Sequence, residues 1–218
     1  MLYLATPSTP KVREAMSAGL IGCMTTPKQG NVVPPRAWYA ADNGRFGKGW
    51  PGADAWWAWL QAKITRHGAD RCLWALAPDE PGNAVATLTE SLPWLGRIRG
   101  LGVPAAFAAQ DGCEAPGMVP WDSLDVLFLA GSTDWKLSAA ASDLALTAQA
   151  LGKRVHMGRV NSLRRLRHAS ALRCATSDGT YIAFGPNVNL PRLLGWMEQI
   201  TALEATAWAS SATAPPVR

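Results

Sequence analysis

The sequence predicts a single-domain (β/α)8 barrel of the TIM type, and three observations predict it. Eight short apolar runs recur along the 218 residues. Amphipathic helical patterns lie between many of them. Polar residues, carboxylates above all, gather at the C-terminal ends of the runs. Strands that alternate with helices pair in parallel, and eight is the number that closes such a sheet into a barrel. The length lies near the lower end for this fold, about 200 residues.

The runs are residues 2–6, 21–25, 37–42, 73–79, 105–111, 126–132, 154–160 and 174–180. Most are rich in Val, Leu, Ala and aromatics without strict alternation, as strands covered on both faces require. Residues 54–66 place Trp57, Leu60 and Ile64 on one helical face. Residues 83–99 carry Leu88, Leu92, Leu95 and Ile98 at helical spacing, with Pro93 as a kink or restart. The Ala/Leu-rich segment 138–151 stops at Gly152, Ser162 can cap a helix over 163–173, and residues 190–203 close the fold. The stretches 26–36 and 112–121, with several Pro and Gly, read as long loops. The barrel domain therefore spans 1–203, and residues 204–218 read as a disordered tail. An open doubly wound sheet is the main rival. It needs a Gly-rich phosphate turn after the first strand, and Ala5-Thr6-Pro7-Ser8-Thr9-Pro10 is not one.

Composition narrows the class. Hydrophobic residues make up 48% and charged residues 17%, enough apolar side chain for a packed core. The four cysteines, Cys23, Cys72, Cys113 and Cys174, are scattered, with no CxxC or Cys/His cluster. That spacing gives neither a zinc site nor a disulfide framework and fits a reducing cytoplasm. No metal and no cofactor is expected. No apolar run approaches the ~18 residues of a membrane span, and residues 1–5 lack the basic start of a signal peptide.

Where the polar residues fall points to chemistry. Asp42 ends the third strand, Asp79 the fourth, Gln110 and Asp111 the fifth, Gly131 the sixth, Gly158 and Arg159 the seventh, and Asp178 the eighth. In a parallel barrel all of these ends open on the face that carries catalysis. An Asp after a strand is by itself more often a helix cap or turn former; several converging from different strands are not. Two or three carboxylates around a pocket suit displacement at an anomeric carbon, one as nucleophile and another moving the proton of the leaving group. His67 and His168 fall on helical patterns as surface residues, and His156 reads as a satisfied core histidine rather than a base. No GxSxG elbow is present.

Charge gives the second signal. Of 21 Lys and Arg, seven lie between Lys153 and Arg173, a stretch without one acidic residue, and the net charge is +5. A solvated helix face normally mixes in acids. Arg159, Arg164, Arg165 and Arg167 are therefore candidates for phosphate-backbone contact. Of the eleven tryptophans, Trp56, Trp57, Trp59, Trp74 and Trp94 fall in elements and read as packing. Trp50, Trp121 and Trp135 lie in or near loops, where they could stack on bases.

Over about residues 37–197 the chain resembles the tRNA-guanine transglycosylase superfamily, and within it the short phage and bacterial members that place 7-deazaguanine bases in DNA. The strongest block runs from Gly152-Lys153-Arg154-Val155-His156-Met157-Gly158-Arg159 to Asp178-Gly179-Thr180-Tyr181-Ile182-Ala183-Phe184-Gly185-Pro186. Asp42-Asn43-Gly44-Arg45-Phe46 is similar to the family's Asp-Ser-Gly-Gly-Phe motif, which supplies a catalytic aspartate. By the same resemblance Asp79 and Gln110 read the base edge, Gly131 stands for a turn with backbone donors, Phe46 contacts the base, and Asp178 is the covalent nucleophile.

The family's Cys-x-Cys-x-x-Cys and His zinc subdomain, which helps dock tRNA, has no counterpart. The resemblance therefore implies DNA rather than tRNA as substrate and a free preQ0-like 7-deazaguanine as the incoming base. It also implies a cytoplasmic site of action, the bacterial host's where the gene is phage-borne, and no membrane partner. Two other readings stay open at the level of sequence. One is a nucleosidase or DNA glycosylase in which water resolves the intermediate. The other is a non-catalytic nucleic-acid-binding subunit of a modification complex.

Overall fold

The computed structural model describes residues 1–47 and 49–212, with side chains described up to residue 202. Eight parallel strands close into one barrel in sequence order, β1 beside β8. They are β1 (Leu2–Ala5), β2 (Gly22–Thr25), β3 (Tyr39–Ala41), β4 (Cys72–Leu76), β5 (Ala105–Ala109), β6 (Val126–Leu129), β7 (Arg154–Met157) and β8 (Thr176–Asp178). Each lies inside an apolar run read from the sequence, except that β4 starts one residue earlier, at Cys72. The helices are α1 (Pro10–Ser17), α2 (Ala53–His67), α3 (Ala84–Gly100), α4 (Thr133–Lys136), α5 (Ala139–Ala150), α6 (Leu163–Ala171) and α7 (Pro186–Ala212). Among the described residues the β2–β3 and β5–β6 connections hold no helix, and these are the two Pro/Gly-rich stretches expected as long loops.

Helix starts follow local chemistry. Asn83, Ser132, Ser138 and Ser162 each accept a backbone N–H of the first turn of α3, α4, α5 and α6. The sequence reading leaves α1 unassigned, although Thr9 accepts from Val12 N and Pro10 occupies the first helical position. Pro93 lies inside α3 without ending it. The last helix continues through residues 204–212, where the sequence reading places a disordered tail. That stretch is Ala-rich and free of Gly and Pro, which favours helix; residues 213–218 lie outside those described. Among the described residues no helix is long and apolar enough to cross a membrane.

Strand alternation divides the core into two layers. Leu4, Met24, Ala40, Trp74, Leu76, Ala106, Ala108, Val126 and Phe128 fill the barrel interior. Tyr3, Ala5, Cys23, Tyr39, Ala41, Ala75 and Phe107 face outward under the helices, where Trp56, Leu60, Leu95 and Ile98 meet them. The interior is filled by a few large rings among aliphatic residues: Trp74 lies 5.5 Å from Phe128 and 4.7 Å from His156, centroid to centroid. All four cysteines are free and buried.

Candidate active site

The same alternation carries polar side chains inward at the C-terminal mouth. Asp178 ends β8 on the interior parity, two residues after Thr176. Asp42 follows β3, its N–H continuing the ladder to Thr25 O at 2.9 Å. Gln110 follows β5, and Asp79 stands three residues beyond β4. These four side chains, drawn from four strands, line one cavity together with Asn43, Phe46, Phe128 and Arg159. Asp42, Phe46 and Asp178 also line a second, larger cavity that reaches Met24, Thr26 and Thr180. The two aspartates therefore stand on a wall shared by both.

Asp79 is 5% exposed and presented in a fixed pose. Asn43 Nδ2 donates to its Oδ1 at 2.8 Å, and Gln110 Nε2 donates to its Oδ2 at 2.9 Å. Asn43 also donates to Ala77 O at 2.7 Å, and Gln110 Oε1 accepts Gly82 N at 3.1 Å. Burial pushes the Asp79 carboxyl up to about 6, against the lowering effect of the Asn43 hydrogen bond and of Arg45. Each oxygen keeps one lone-pair site for a ligand donor.

Asp42 is half-buried and accepts Gly44 N at 2.6 Å. Burial raises its carboxyl to about 7, and the charges of Asp178 and Asp79 add to the shift, while the Gly44 hydrogen bond opposes it. A carboxyl that titrates near neutrality both gives and takes a proton there. The loop carrying Asp42 is tied down by Arg45, which pairs with Glu80 at 2.5 Å and Glu90 at 3.0 Å.

Asp178 is held from inside the barrel. His156 Nε2 lies 3.0 Å from its Oδ1, and Arg159 N donates to the same oxygen at 3.3 Å. His156 is fully buried, and its Nδ1 lies 2.7 Å from Thr176 Oγ1. It is a satisfied interior histidine, and one of its partners is the candidate nucleophile. Burial pushes its imidazole pKa down while the Asp178 hydrogen bond works the other way. Gly179 lines the second cavity, and the space a side chain would take there is already filled by protein. A Cβ there would stand 2.2 Å from Asn161 Oδ1, 2.5 Å from Tyr3 Oη and 2.8 Å from Val160 O.

The remaining residues singled out from the sequence divide. Phe46 is 68% exposed at the mouth, and the Arg159 guanidinium lies 4.5 Å from its ring centroid. Arg159 turns inward: Nη2 donates to the carbonyls of Ala130 and Gly131. Gly131 is not among the residues lining the cavity; Ala130 takes that place. The Gly131 N–H is bonded to Ala109 O at 3.0 Å, so it is not free to meet a base, and its missing Cβ makes room for Asp111 and Trp135. Arg164 and Arg167 are exposed on α6, whereas Arg165 is partly buried and donates to Arg159 O at 3.2 Å. Lys153 and Arg154 lie at the opposite end of β7, so the basic run does not form one patch. Trp135 is buried with its Nε1 on Glu114, and Trp50 packs on Trp56.

Sequence reasoning did not find Asn43 or the pairing of His156. The inward parity of residues 154, 156 and 158 on one strand and 176 and 178 on the next was the available signal. Among the described residues no group of three or more His, Cys, Asp or Glu is arranged to hold a metal ion.

No protein-family model and no curated protein sequence matches the chain. Solved structures resemble it at low identity. 3-Hexulose-6-phosphate synthase from Salmonella typhimurium aligns at 12% identity and a TM-score of 0.52, over 91% of this chain and 97% of that one. Phosphoribosyl anthranilate isomerase from Thermus thermophilus aligns at 14% identity and a TM-score of 0.49, over 92% of this chain and all of that one. The Bacillus subtilis YkuI protein, which has an EAL domain, aligns at 12% identity and a TM-score of 0.46. This chain spans 51% of the length of that protein. The synthase match shows the fold, a (β/α)8 barrel, and nothing of the chemistry.

Proposed function

We propose that this barrel exchanges bases in DNA, replacing a guanine by a free 7-deazaguanine of the preQ0 kind through a covalent aspartyl-glycosyl intermediate. The observation that carries the reading is the shared wall: Asp42 and Asp178 line both a cavity containing the amide-held Asp79 and a second one beside it. A nucleotide has the same partition, its base on one side of C1′ and its sugar-phosphate on the other. The base must leave the stack to reach this depth.

In the first displacement an Asp178 oxygen bonds to C1′ as the C1′–N9 bond breaks, and Asp42 gives its proton to the departing guanine. In the second, Asp42 takes the N9 proton of the incoming base, that nitrogen bonds to C1′, and Asp178 leaves with its electron pair. Two inversions retain configuration. Asp79, with a lone-pair site left on each oxygen, accepts the N1–H and N2–H2 pair that guanine and its 7-deaza relatives share. Arg164 and Arg167 hold phosphates outside the mouth, and Arg159 with Phe46 closes over the base.

The experiment is to incubate the protein with DNA and labelled guanine or preQ0, digest, and identify the nucleosides. A parallel sample is quenched in denaturant. Labelled base enters DNA, quenched protein carries DNA attached at Asp178, and Asp178→Ala does neither while still binding DNA. Release of guanine without incorporation would move the assignment to a hydrolase. DNA binding with no base released by wild type would move it to a non-catalytic binding module.

A further inference from the structure

A line of hydrogen bonds runs from the barrel floor to the candidate nucleophile. Trp74 Nε1 donates to Thr176 Oγ1 at 3.3 Å, Thr176 Oγ1 meets His156 Nδ1 at 2.7 Å, and His156 Nε2 meets Asp178 Oδ1 at 3.0 Å. Trp74, Thr176 and His156 are all buried, so each proton must have an acceptor. The indole can only donate, so the hydroxyl accepts it, and among the described residues Nδ1 is the one acceptor shown for the hydroxyl's own proton. The ring proton then sits on Nε2 and points at the carboxylate. The opposite tautomer would set two lone pairs against each other across 3.0 Å. Burial of the ring disfavours the doubly protonated form.

Oδ1 of Asp178 thus receives two donors, His156 Nε2–H and the Arg159 backbone N–H, which fill its lone-pair sites. Among the described residues no hydrogen bond reaches Oδ2, and Asp178 lines both cavities. We propose that His156 is a positioning residue that makes Oδ2 the sole reacting oxygen of Asp178 and, by binding Oδ1, favours release of the sugar from the aspartyl ester. The inference rests on the transglycosylase reading of Asp178.

The energetic reason is the change of charge on Oδ1. In the free enzyme it belongs to a carboxylate; once Oδ2 has bonded to C1′ it is the carbonyl oxygen of a neutral ester. A hydrogen bond to an ionised acceptor is about twice as strong as one to a neutral acceptor. The Nε2–H therefore stabilises free Asp178 more than the ester and draws the intermediate forward or back to free enzyme. Loss of the donor lets the adduct accumulate.

The test compares wild type, His156→Leu and His156→Gln at one fixed guanine concentration, reading the ratio of covalent adduct to free enzyme after denaturing quench. His156→Leu raises this ratio on the order of fivefold and lowers the exchange kcat without changing KM for DNA. His156→Gln, which places an amide N–H near the Nε2 position, returns the ratio toward wild type. A merely structural histidine lowers the amount of active protein and leaves the ratio unchanged, so an unchanged ratio overturns the proposal. Imidazole 15N shifts of unliganded wild type give a second measurement, independent of any activity and of whether the variants fold. A neutral ring with its proton on Nε2 supports the assignment, and a proton on Nδ1 overturns it. Wild type that forms no adduct but has the Nε2–H ring would refute the transglycosylase reading and, with it, the ester-release half of this proposal, while supporting the positioning of Asp178.

Discussion

Asp42→Asn separates the electrostatic cost of this site from its use. The substitution keeps the side-chain volume and an oxygen for Gly44 N, now 2.6 Å from Asp42 Oδ1. In the folded protein Asp42 titrates at about 7, against an ordinary 3.8. The native state therefore holds this proton over a window in which the unfolded chain has lost it. Stability from this group is full below about pH 4 and declines as pH rises to about 7. Between pH 5 and pH 8 the decline covers about two pH units at 1.4 kcal/mol each, about 3 kcal/mol. Partial exposure to the two cavities screens some of this, leaving on the order of 2 kcal/mol. An asparagine has no such slope. Urea unfolding followed by tryptophan fluorescence at pH 5 and pH 8 should show the variant gaining about 2 kcal/mol on wild type between the two. Base exchange should fall by about 10²–10⁴-fold, the usual worth of a positioned proton carrier. A stability difference that does not change with pH would show that Asp42 ionises as a solvated carboxylate, and the proton-transfer role would fall with it.

Three further outcomes follow from the geometry. Asp79→Asn turns an amide NH2 toward the donors of Asn43, Gln110 or the base, so discrimination between guanine and adenine in competition assays should weaken by about 10–100-fold, equivalent to 1–3 kcal/mol; unchanged selectivity removes Asp79 from recognition. Arg164→Ala with Arg167→Ala should reduce the slope of log K against log salt for duplex DNA by up to about 2 in titrations, since each lost phosphate contact accounts for about 0.9; an unchanged slope makes α6 a plain solvated surface. Gly179→Ala must push apart Tyr3, Asn161 and Val160, costing about 1–3 kcal/mol in denaturant unfolding and displacing Asp178; wild-type stability and exchange would mean that β8 yields without loss.

Much of this molecule is legible in its sequence. The eight apolar runs and the helical patterns between them specify parallel strands, because only crossover connections fit such alternation. Asp42, Asp79, Gln110 and Asp178 were legible as one set, since a parallel barrel turns every strand's C-terminal end to the same face. The absence of helix from the β2–β3 and β5–β6 connections was written in their Pro and Gly residues.

What the sequence left open depended on which residues meet across the closed barrel. Gly131 looked like a free turn donor, yet closure of β5 on β6 commits its N–H to Ala109 O. The basic run from Lys153 to Arg173 is continuous in the chain, but a strand and a helix running in opposite directions return both its ends to the N-terminal face and leave only its middle at the mouth. Asn43 reaches Asp79 across 36 positions of chain, and His156 reaches Asp178 across 22. Sequence sets the inward parity of each strand; the register between strands sets which inward residues touch. That register exists only once the sheet has closed with β1 beside β8 and Leu4 opposite Asp178.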